Sequence, residues 1–321
     1  MSRSARPALG VAAAGGAALL FGVNGTVAKL ALEAGLSSTR LVELRSLGAA
    51  MCLMALALLI RPGALRASPR ELVFLAAAGV VGIGLVQWLY FEAIARLPVG
   101  IAILLEYLAP VLVALWVRFV RREPVRPRIW AALGLCLLGL GLVAEVWSGL
   151  TLDGLGVLAG LAAAVSLAAY YLTGEHGLGT RDPLSLAAWT FTAAALLWTV
   201  PQPLWAFDWS VLGESVALPG PFDGSTAPLW SLVAWVVVLG TVVPYGMVLL
   251  ALGSLGATRT GLLGMAEPVT SAVVAWVVLS ERLSTAQLVG AVVVIGGIVA
   301  AETARRDAAR HEPAPPATAV V

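Results

Sequence analysis

Residues 93–115 read AIARLPVGIAILLEYLAPVLVAL, and residues 251–273 read ALGSLGATRTGLLGMAEPVTSAV. When the two stretches are aligned at an offset of 158 residues, Pro110 aligns with Pro268. Matches of leucine and alanine carry little weight in an apolar chain, but a proline shared by two apolar runs is a specific match. The two stretches therefore indicate an internal repeat.

The repeat continues beyond these two stretches without a gap. Glu123 aligns with Glu281 thirteen residues after the paired prolines, and Gly139 aligns with Gly297. The two parts of the chain are therefore predicted to share one arrangement of structural elements.

The composition shows where those elements lie. Hydrophobic residues make up 60% of the 321 residues, charged residues make up 12%, and the mean hydropathy is +0.94. Soluble domains are about 45 to 50% apolar and about 25% charged. The chain is therefore predicted to be an integral membrane protein.

The apolar runs predict ten membrane spans, because a spanning helix needs about 20 mainly apolar residues. The first run is longer than the apolar core of a signal peptide and is predicted to be a retained span. No stretch shows the alternation of an outer-membrane barrel strand, so the fold is all-α. The predicted spans cover residues 8–31, 41–60, 71–91, 99–119, 129–147, 153–172, 185–205, 229–251, 258–279 and 285–303.

Five spans in each half give the fold its symmetry. Because five is an odd number, the second half must enter the membrane in the opposite orientation to the first. The predicted fold is therefore ten transmembrane helices arranged as two inverted five-helix repeats, at residues 8–147 and 148–303. Residues 1–7 are predicted to form a cytoplasmic N-terminus, and residues 304–321 a disordered cytoplasmic tail.

The orientation follows from the basic residues in short connections, which are retained on the cytoplasmic side. Placing both termini in the cytoplasm puts 15 of the 20 basic residues there: Arg3, Arg6, Arg61, Arg66, Arg70, Arg118, Arg121, Arg122, Arg126, Arg128, Arg181, Arg259, Arg305, Arg306 and Arg310. These arginines face the anionic inner leaflet, so the net charge of +2 requires no nucleic-acid partner.

Sites for catalysis, metals and cofactors are not apparent in the sequence. Cys52 and Cys136 lie within apolar runs, and His176 and His311 are isolated, so neither a disulfide framework nor a metal site is predicted. A phosphate-binding loop, a dinucleotide fingerprint and a nucleophile elbow are also missing. We therefore expect no cofactor and no enzymatic activity.

Two carboxylates are predicted to lie near the middle of the membrane. Insertion scales assign such a group a cost of about 2.5 to 3.5 kcal/mol, so its default interpretation is a cavity, pathway or relay. In the alignment of the two repeats Glu106 corresponds to Gly264, which lies three residues before Glu267. Positions three apart share a helix face. The alternative is that each carboxyl is protonated and hydrogen-bonded to a neighbouring helix, while Pro110 and Pro268 break the helices and free nearby carbonyls.

Other polar and aromatic residues inside the spans are candidates to line the same cavity. The alternative for each is an interhelical hydrogen bond or an anchor at the membrane surface. Arg45 is expected near the outer end of the second span, extending to the surface or pairing with Glu43. The cavity candidates are Asn24, Gln87, Trp88, Tyr90, Tyr170, Tyr171 and Tyr245.

The connection at residues 206–228 has three acids and no base. This composition is typical of an external loop. It is predicted to act either as a lid over the cavity or as a simple tether between the seventh and eighth spans.

Five features of the sequence carry a resemblance to a known family: FGVNGTVAKLAL (21–32), Arg45, PVGIAILLEYLAPVLVAL (98–115), VPYGMVLLALGSLGATRTGLLGMAEPVTSAVVAWVVLSERLS (243–284) and a final Gly-rich span. With these features the sequence resembles the EamA-type transporters of the drug/metabolite transporter superfamily over about residues 8–303. The stretch 98–110 is most similar to the threonine/homoserine exporter branch.

The resemblance implies a secondary transporter that exports amino acids or related small metabolites across the bacterial inner membrane by alternating access. Its partners would be a small-molecule substrate and the lipid bilayer, with protons as candidate coupling ions. Two alternatives stay open: a flippase or exporter of hydrophobic, lipid-like compounds on the same fold, and a membrane enzyme or scaffold without transport. The oligomeric state also stays open, and a monomer is consistent with the sequence.

Overall fold

The computed structural model describes residues 6–94, 96–97, 99–146, 153–279 and 284–310. Seven helical stretches in this part of the chain are long and apolar enough to cross a membrane, and three shorter apolar helices complete the set. The prediction of an all-helical membrane protein with ten helices is confirmed. The predicted repeat boundary at 147/148 and the positions of Arg3, Glu281 and Arg282 lie outside the described residues.

Several of the ten spans consist of more than one helical segment. The helices of the first half are α1 (Arg6–Glu33), α2 (Ser38–Ile60), α3 (Pro69–Gly79), α4 (Val86–Ile94), α5 (Val99–Glu106), α6 (Ala109–Phe119) and α7 (Pro127–Val143). Those of the second half are α8 (Gly154–Gly177), α9 (Pro183–Thr199), α10 (Leu229–Val237), α11 (Val243–Leu255), α12 (Ala257–Gly264), α13 (Glu267–Leu279) and α14 (Thr285–Arg310).

The fourth and ninth spans are each divided into two half-helices. In the fourth span α5 ends at Glu106 and α6 begins at Ala109, with Pro110 in its first turn. In the ninth span α12 ends at Gly264 and α13 begins at Glu267, again followed by proline. Proline is tolerated in a first helical turn, where its missing N–H would have no partner in any case. Both breaks therefore place a glutamate at the end of a half-helix.

The third and eighth spans each contain a π-helical turn at an equivalent position, which was not predicted. The turns cover Val80–Leu85 and Val238–Val242 and join α3 to α4 and α10 to α11. Each turn includes a glycine packed closely against the other half of the chain. A methyl group on Gly82 would lie 2.9 Å from the Cα of Tyr170, and one on Gly240 would overlap the side chain of Asn24. Such turns occur frequently at functional sites.

The packing of the helices has a pseudo-two-fold symmetry. Helix α1 packs against α11, α12 and α13 of the second half, as α8 packs against the equivalent helices α4, α5 and α6 of the first. Glycines mark equivalent contacts: a methyl group on Gly10 would lie 2.9 Å from Leu255 Cγ, and one on Gly156 would lie 2.8 Å from Leu97 Cγ. Leu97 and Leu255 are themselves equivalent in the repeat. Because each half has five spans, the two halves form an inverted pair.

The pairs α2 with α9 and α7 with α14 also connect the two halves. Backbones of α7 and α14 approach closely through glycines. A methyl group on Gly139 would lie 2.7 Å from the carbonyl oxygen of Gly290 and 2.7 Å from Val294 Cγ2. Small residues at such positions allow the close packing that holds helices together in membranes.

We therefore expect Gly139→Ala to lower the free energy of unfolding by about 1 to 3 kcal/mol, because the added methyl group overpacks this contact. The matched control is Gly134→Ala on the same helix, where nothing lies within 4 Å of an added methyl group. Alanine should be neutral or slightly stabilising there, since it favours a helix more than glycine does. Thermal unfolding of the detergent-purified variants measures the difference, and equal stabilities would contradict this account of the contact.

The connection between α9 and α10 is folded rather than extended. It contains a small hairpin of β1 (Ser215–Ala217) and β2 (Thr226–Pro228), which adds two short strands to the helical fold. The guanidinium of Arg40 lies 4.9 Å from the centre of the Phe207 ring and holds one end of the connection. Phe207 and other apolar residues of the connection pack against the ends of α1, α2 and α10. Residue Gly220 lies against the backbone of Val278 in α13.

Two expectations for charged and terminal residues are corrected. Glu43 is fully buried and pairs with Arg40, so it is not the partner of Arg45. Helix α14 continues to Arg310, so residues 304–310 of the predicted disordered tail are helical. The alanines and arginines of this stretch are strong helix formers, which explains the continuation. Residues 311–321 lie outside the described part of the chain.

Candidate transport site

The two intramembrane glutamates come together at the helix breaks. Glu106 is the last residue of α5, and Glu267 is the first residue of α13. Both side chains are half-buried, and they are close enough for their charges to interact. One carboxylate comes from each half of the chain, so the site lies at the interface between the repeats.

Tyr107 holds Glu267 in place. Its hydroxyl donates a hydrogen bond of 2.7 Å to Glu267 Oε2, and only 6% of its surface is exposed. This tyrosine lies in the break between α5 and α6 and was not among the predicted site residues. Its position directly after Glu106 is the signal that could have indicated it.

Arg45 of α2 turns into the protein, which corrects the expectation that it extends to the surface or pairs with Glu43. Its Nε donates to Thr241 Oγ1 at 2.7 Å, and its Nη2 donates to the Gly240 carbonyl at 3.3 Å. Both acceptors lie in the π-helical turn of the eighth span. The positive charge of Arg45 interacts with Glu106 and with Glu267.

Aromatic rings form a wall beside Arg45. The ring of Tyr245 makes edge-to-face contacts with Phe21, Tyr170 and Phe191 at centroid distances of 5.3, 5.5 and 5.0 Å. The guanidinium carbon of Arg45 lies 5.9 Å from the centre of the Tyr245 ring. Such contacts contribute stability beyond the burial of area, so this wall is a rigid part of the site.

Two further tyrosines lie beside the carboxylates. Tyr90 and Tyr171 are both close enough to Glu106 and Glu267 to interact with their charges. The hydroxyl of Tyr171 lies 3.0 Å from the place where Gly264 would carry a methyl group. Gly264 is the repeat equivalent of Glu106, so a side chain there would compete with Tyr171 for space.

The other predicted residues occupy different positions. Gln87 is buried beside Tyr245. Asn24 packs against Gly240, under the π-helical turn that accepts from Arg45. Trp88 is 38% exposed and is not brought into the cluster. Successive helical residues are 100° apart, so Trp88 and Tyr90 point in nearly opposite directions.

Polar contacts join three spans at the face that carries the arginine-rich connection between α6 and α7. A salt bridge joins Arg121, which follows α6, to Glu175 near the end of α8. The other oxygen of Glu175 accepts from the backbone N–H of Ala257 at 3.0 Å, at the start of α12. One carboxylate therefore ties together the ends of the fourth and sixth spans and the beginning of the ninth. A negative charge at a helix N-terminus is also favoured by the helix dipole.

Towards the opposite face, a crevice of about 200 Å³ separates α5 from α13. Its walls are apolar apart from one hydroxyl, and α7 forms its third side. The lining residues are Ile103, Leu140, Val143, Ala144, Pro268, Ser271 and Ala272.

Metal binding is not suggested by the described residues, which contain no group of three or more His, Cys, Asp or Glu side chains able to hold an ion. The groups gathered at the breaks are instead one guanidinium, two carboxylates and several tyrosines. These groups can bind and orient a small charged molecule by charge-assisted hydrogen bonds.

Comparison with solved structures supports the fold. A crystal structure superposes on this chain with a TM-score of 0.75 at 21% sequence identity, and the match covers 95% of this chain and 99% of the other. A likeness at this level of identity shows a shared fold.

Sequence comparison identifies relatives of known activity. The chain is 30% identical over 222 residues to the threonine/homoserine exporter RhtA of Escherichia coli (strain K12). The aligned region covers 69% of this chain and 67% of the relative. It is also 30% identical over 234 residues to the threonine/homoserine exporter RhtA of Salmonella typhimurium (strain LT2), covering 73% and 71%.

The model of the EamA-like transporter family matches the chain twice, at residues 8–144 and 154–302. The two matches fall on the two halves described above. The family consists of transporters, so the predictions of a transporter and of no enzymatic activity are confirmed. The chain is a multi-pass membrane protein and belongs to the EamA-like transporter family.

Proposed function

We propose that this transporter exports amino acids or closely related small metabolites by alternating access. The observation that carries the proposal is that Arg45 lies close enough to Glu106 and Glu267 for their charges to interact, at the interface of the two repeats. An amino acid carries a carboxylate and an ammonium group on the same carbon atom, and these charges complement a site with one guanidinium and two carboxylates. The similarity to threonine/homoserine exporters supports the same substrate class.

Arg45 is the group that we assign to the substrate carboxylate. Its Nε and Nη2 are held by the eighth span, and Nη1 makes no hydrogen bond to the described residues. The guanidinium is therefore fixed in orientation and keeps a donor for the substrate. Hydrogen bonds to charged groups contribute about 1.5 to 3 kcal/mol, so one such contact strongly favours an anionic partner.

Glu106 is the group that we assign to the substrate ammonium. Glu267 has one oxygen engaged by Tyr107, so Glu106 is the more available of the two carboxylates. When the ammonium leaves, a proton can take its place between the two carboxylates. Export of the amino acid would then be coupled to the entry of a proton.

Alternating access follows from the two divided spans. The Arg121–Glu175–Ala257 contacts join three spans at the arginine-rich face, while a crevice lies between α5 and α13 towards the opposite face. In an inverted repeat the two halves can exchange conformations, which would open the first face and close the second. The site lies within one chain, so we propose that a monomer is sufficient for transport.

The proposed location is the bacterial inner membrane with both termini in the cytoplasm. In a background without Cys52 and Cys136, cysteines at Arg122 and Arg306 should resist an impermeant thiol reagent in whole cells. A cysteine at Gly224, in the hairpin connection, should react. The physical reason is the excess of arginines on the cytoplasmic side. Labelling of Arg122→Cys from outside would overturn the orientation, and permeabilised cells provide the control for reactivity.

Uptake into inverted membrane vesicles tests the proposed function. Vesicles that contain the transporter should accumulate a labelled amino acid when a pH gradient is imposed, and vesicles without it should not. Screening the common amino acids with and without the gradient separates binding specificity from coupling. Absence of uptake and of exchange for every amino acid would reject the proposal.

A second candidate function is export of hydrophobic or lipid-like compounds. The observation that favours it is the apolar crevice between α5, α7 and α13. The two functions differ in their dependence on Arg45, because an uncharged hydrophobic compound has no need of a fixed guanidinium. Transport of such a compound that survives Arg45→Ala would favour this second function.

A further inference from the structure

We propose that the crevice between α5, α7 and α13 is the side-chain subsite of the transporter, so that the substrates are amino acids with large apolar side chains. This inference rests on the proposed function, because it assigns the charged cluster to the amino-acid head group. It gives this chain a preference different from the hydroxyl-bearing threonine and homoserine for which the relatives are named.

The position of the crevice relative to the carboxylates is the first argument. Ile103 lies three residues before Glu106 on α5, and Ser271 lies four residues after Glu267 on α13. Helical positions three or four apart lie on the same face, one turn from each other. The crevice therefore begins one turn beyond both carboxylates, along the helix faces that carry them.

Tyr107 provides a physical connection between the two regions. Its hydroxyl bonds to Glu267, while its ring belongs to the buried cluster against which Ile103 also packs. Leu140 of α7, another wall of the crevice, belongs to the same buried cluster. Tyr107 therefore bonds to Glu267 and also belongs to the buried cluster that includes a wall of the crevice.

The size and chemistry of the crevice indicate what it accepts. Its volume is about 200 Å³, and an apolar cavity of about 150 Å³ is large enough for benzene. A leucine, methionine or phenylalanine side chain therefore fits. Ser271 supplies the one hydroxyl group in the lining, so a polar side chain would lose most of its hydrogen bonds to water on entering.

Exchange measurements with a series of amino acids test the inference. Each buried methylene contributes to binding, and leucine has three more carbons than alanine. We expect leucine to compete for exchange roughly 10- to 50-fold better than alanine, with phenylalanine similar to leucine. Threonine should resemble alanine rather than leucine.

A second experiment tests the same inference by filling the crevice. Ala272→Phe places a ring in the space, and it should remove most of the preference for leucine, measured as the ratio of leucine exchange to alanine exchange in the same protein. The matched control is Val273→Phe, the next residue on α13, which is 45% exposed and outside the lining. This control variant should keep the preference of the unmodified protein.

The possible outcomes separate this inference from the proposed function. Equal affinities for alanine and leucine, or better binding of threonine than of leucine, would overturn the subsite and leave amino-acid export intact. A preference for leucine that is unchanged in a folded Ala272→Phe variant would also overturn it. Failure of every amino acid to exchange would overturn both proposals.

Discussion

Replacing Arg45 by alanine is expected to reduce amino-acid counterflow by roughly 30-fold or more. Removing one member of a buried, hydrogen-bonded charge pair costs about 2 to 5 kcal/mol, and each 1.4 kcal/mol is a factor of about ten. The eighth span should keep its structure, since the Thr241 hydroxyl retains its bond to the Val236 carbonyl. Counterflow in proteoliposomes measures the effect, because it requires binding and exchange without a gradient.

Two control variants separate charge from geometry. Arg45→Lys keeps the positive charge but loses the planar fork that contacts Thr241 and Gly240, so an intermediate loss is expected. Arg96→Ala removes an exposed pair with Glu92, which contributes at most about 1 kcal/mol, so counterflow should not change. Normal counterflow in a folded Arg45→Ala protein would remove Arg45 from the substrate site.

Glu106→Gln is expected to abolish both pH-driven uptake and counterflow, because an amide cannot supply the negative charge that holds the substrate ammonium. Glu267→Gln is the matched variant from the other half of the repeat. Its amide oxygen can still accept from Tyr107, so counterflow should survive while the dependence on the pH gradient weakens. The ratio of driven uptake to counterflow, measured for each variant, distinguishes binding from coupling.

Other results would reassign the two carboxylates. Counterflow that survives in Glu106→Gln, together with loss of driven uptake, would make Glu106 a proton carrier and would leave the ammonium to another group. Unchanged affinity, rate and pH dependence in a well-folded Glu106→Gln protein would leave the carboxylate with a packing role only.

The arrangement of the helices could largely be predicted from the sequence. Each span must be apolar over about 20 residues, so composition alone indicates the ten helices. The match of Pro110 with Pro268 indicated that the fourth and ninth spans are equivalent. The three-residue spacing on a helix then predicted that Glu106 and Glu267 face the same interior of the protein. These inferences depend on local chemistry and on a periodicity that remains visible along the chain.

The partners of Arg45 could not be predicted in the same way. Its acceptors lie in the π-helical turn at Thr241, and this turn depends on close packing between the two halves. From the second span alone, extension to the surface or pairing with Glu43 is equally compatible with the sequence. The crevice was also hidden, because it is space left between α5, α7 and α13 and no single residue specifies it.

The contact between Asn24 and Gly240 has a consequence for synthesis of the protein. Helix α1 is made first, but the turn that covers Asn24 emerges from the ribosome roughly 200 residues later. At about 5 to 20 residues per second, α1 therefore waits roughly 10 to 40 s for its partner. During that time a polar amide is held in the membrane without its final neighbours. A nascent chain arrested before Gly240 therefore lacks the backbone that packs against Asn24, however well its first five helices have been inserted.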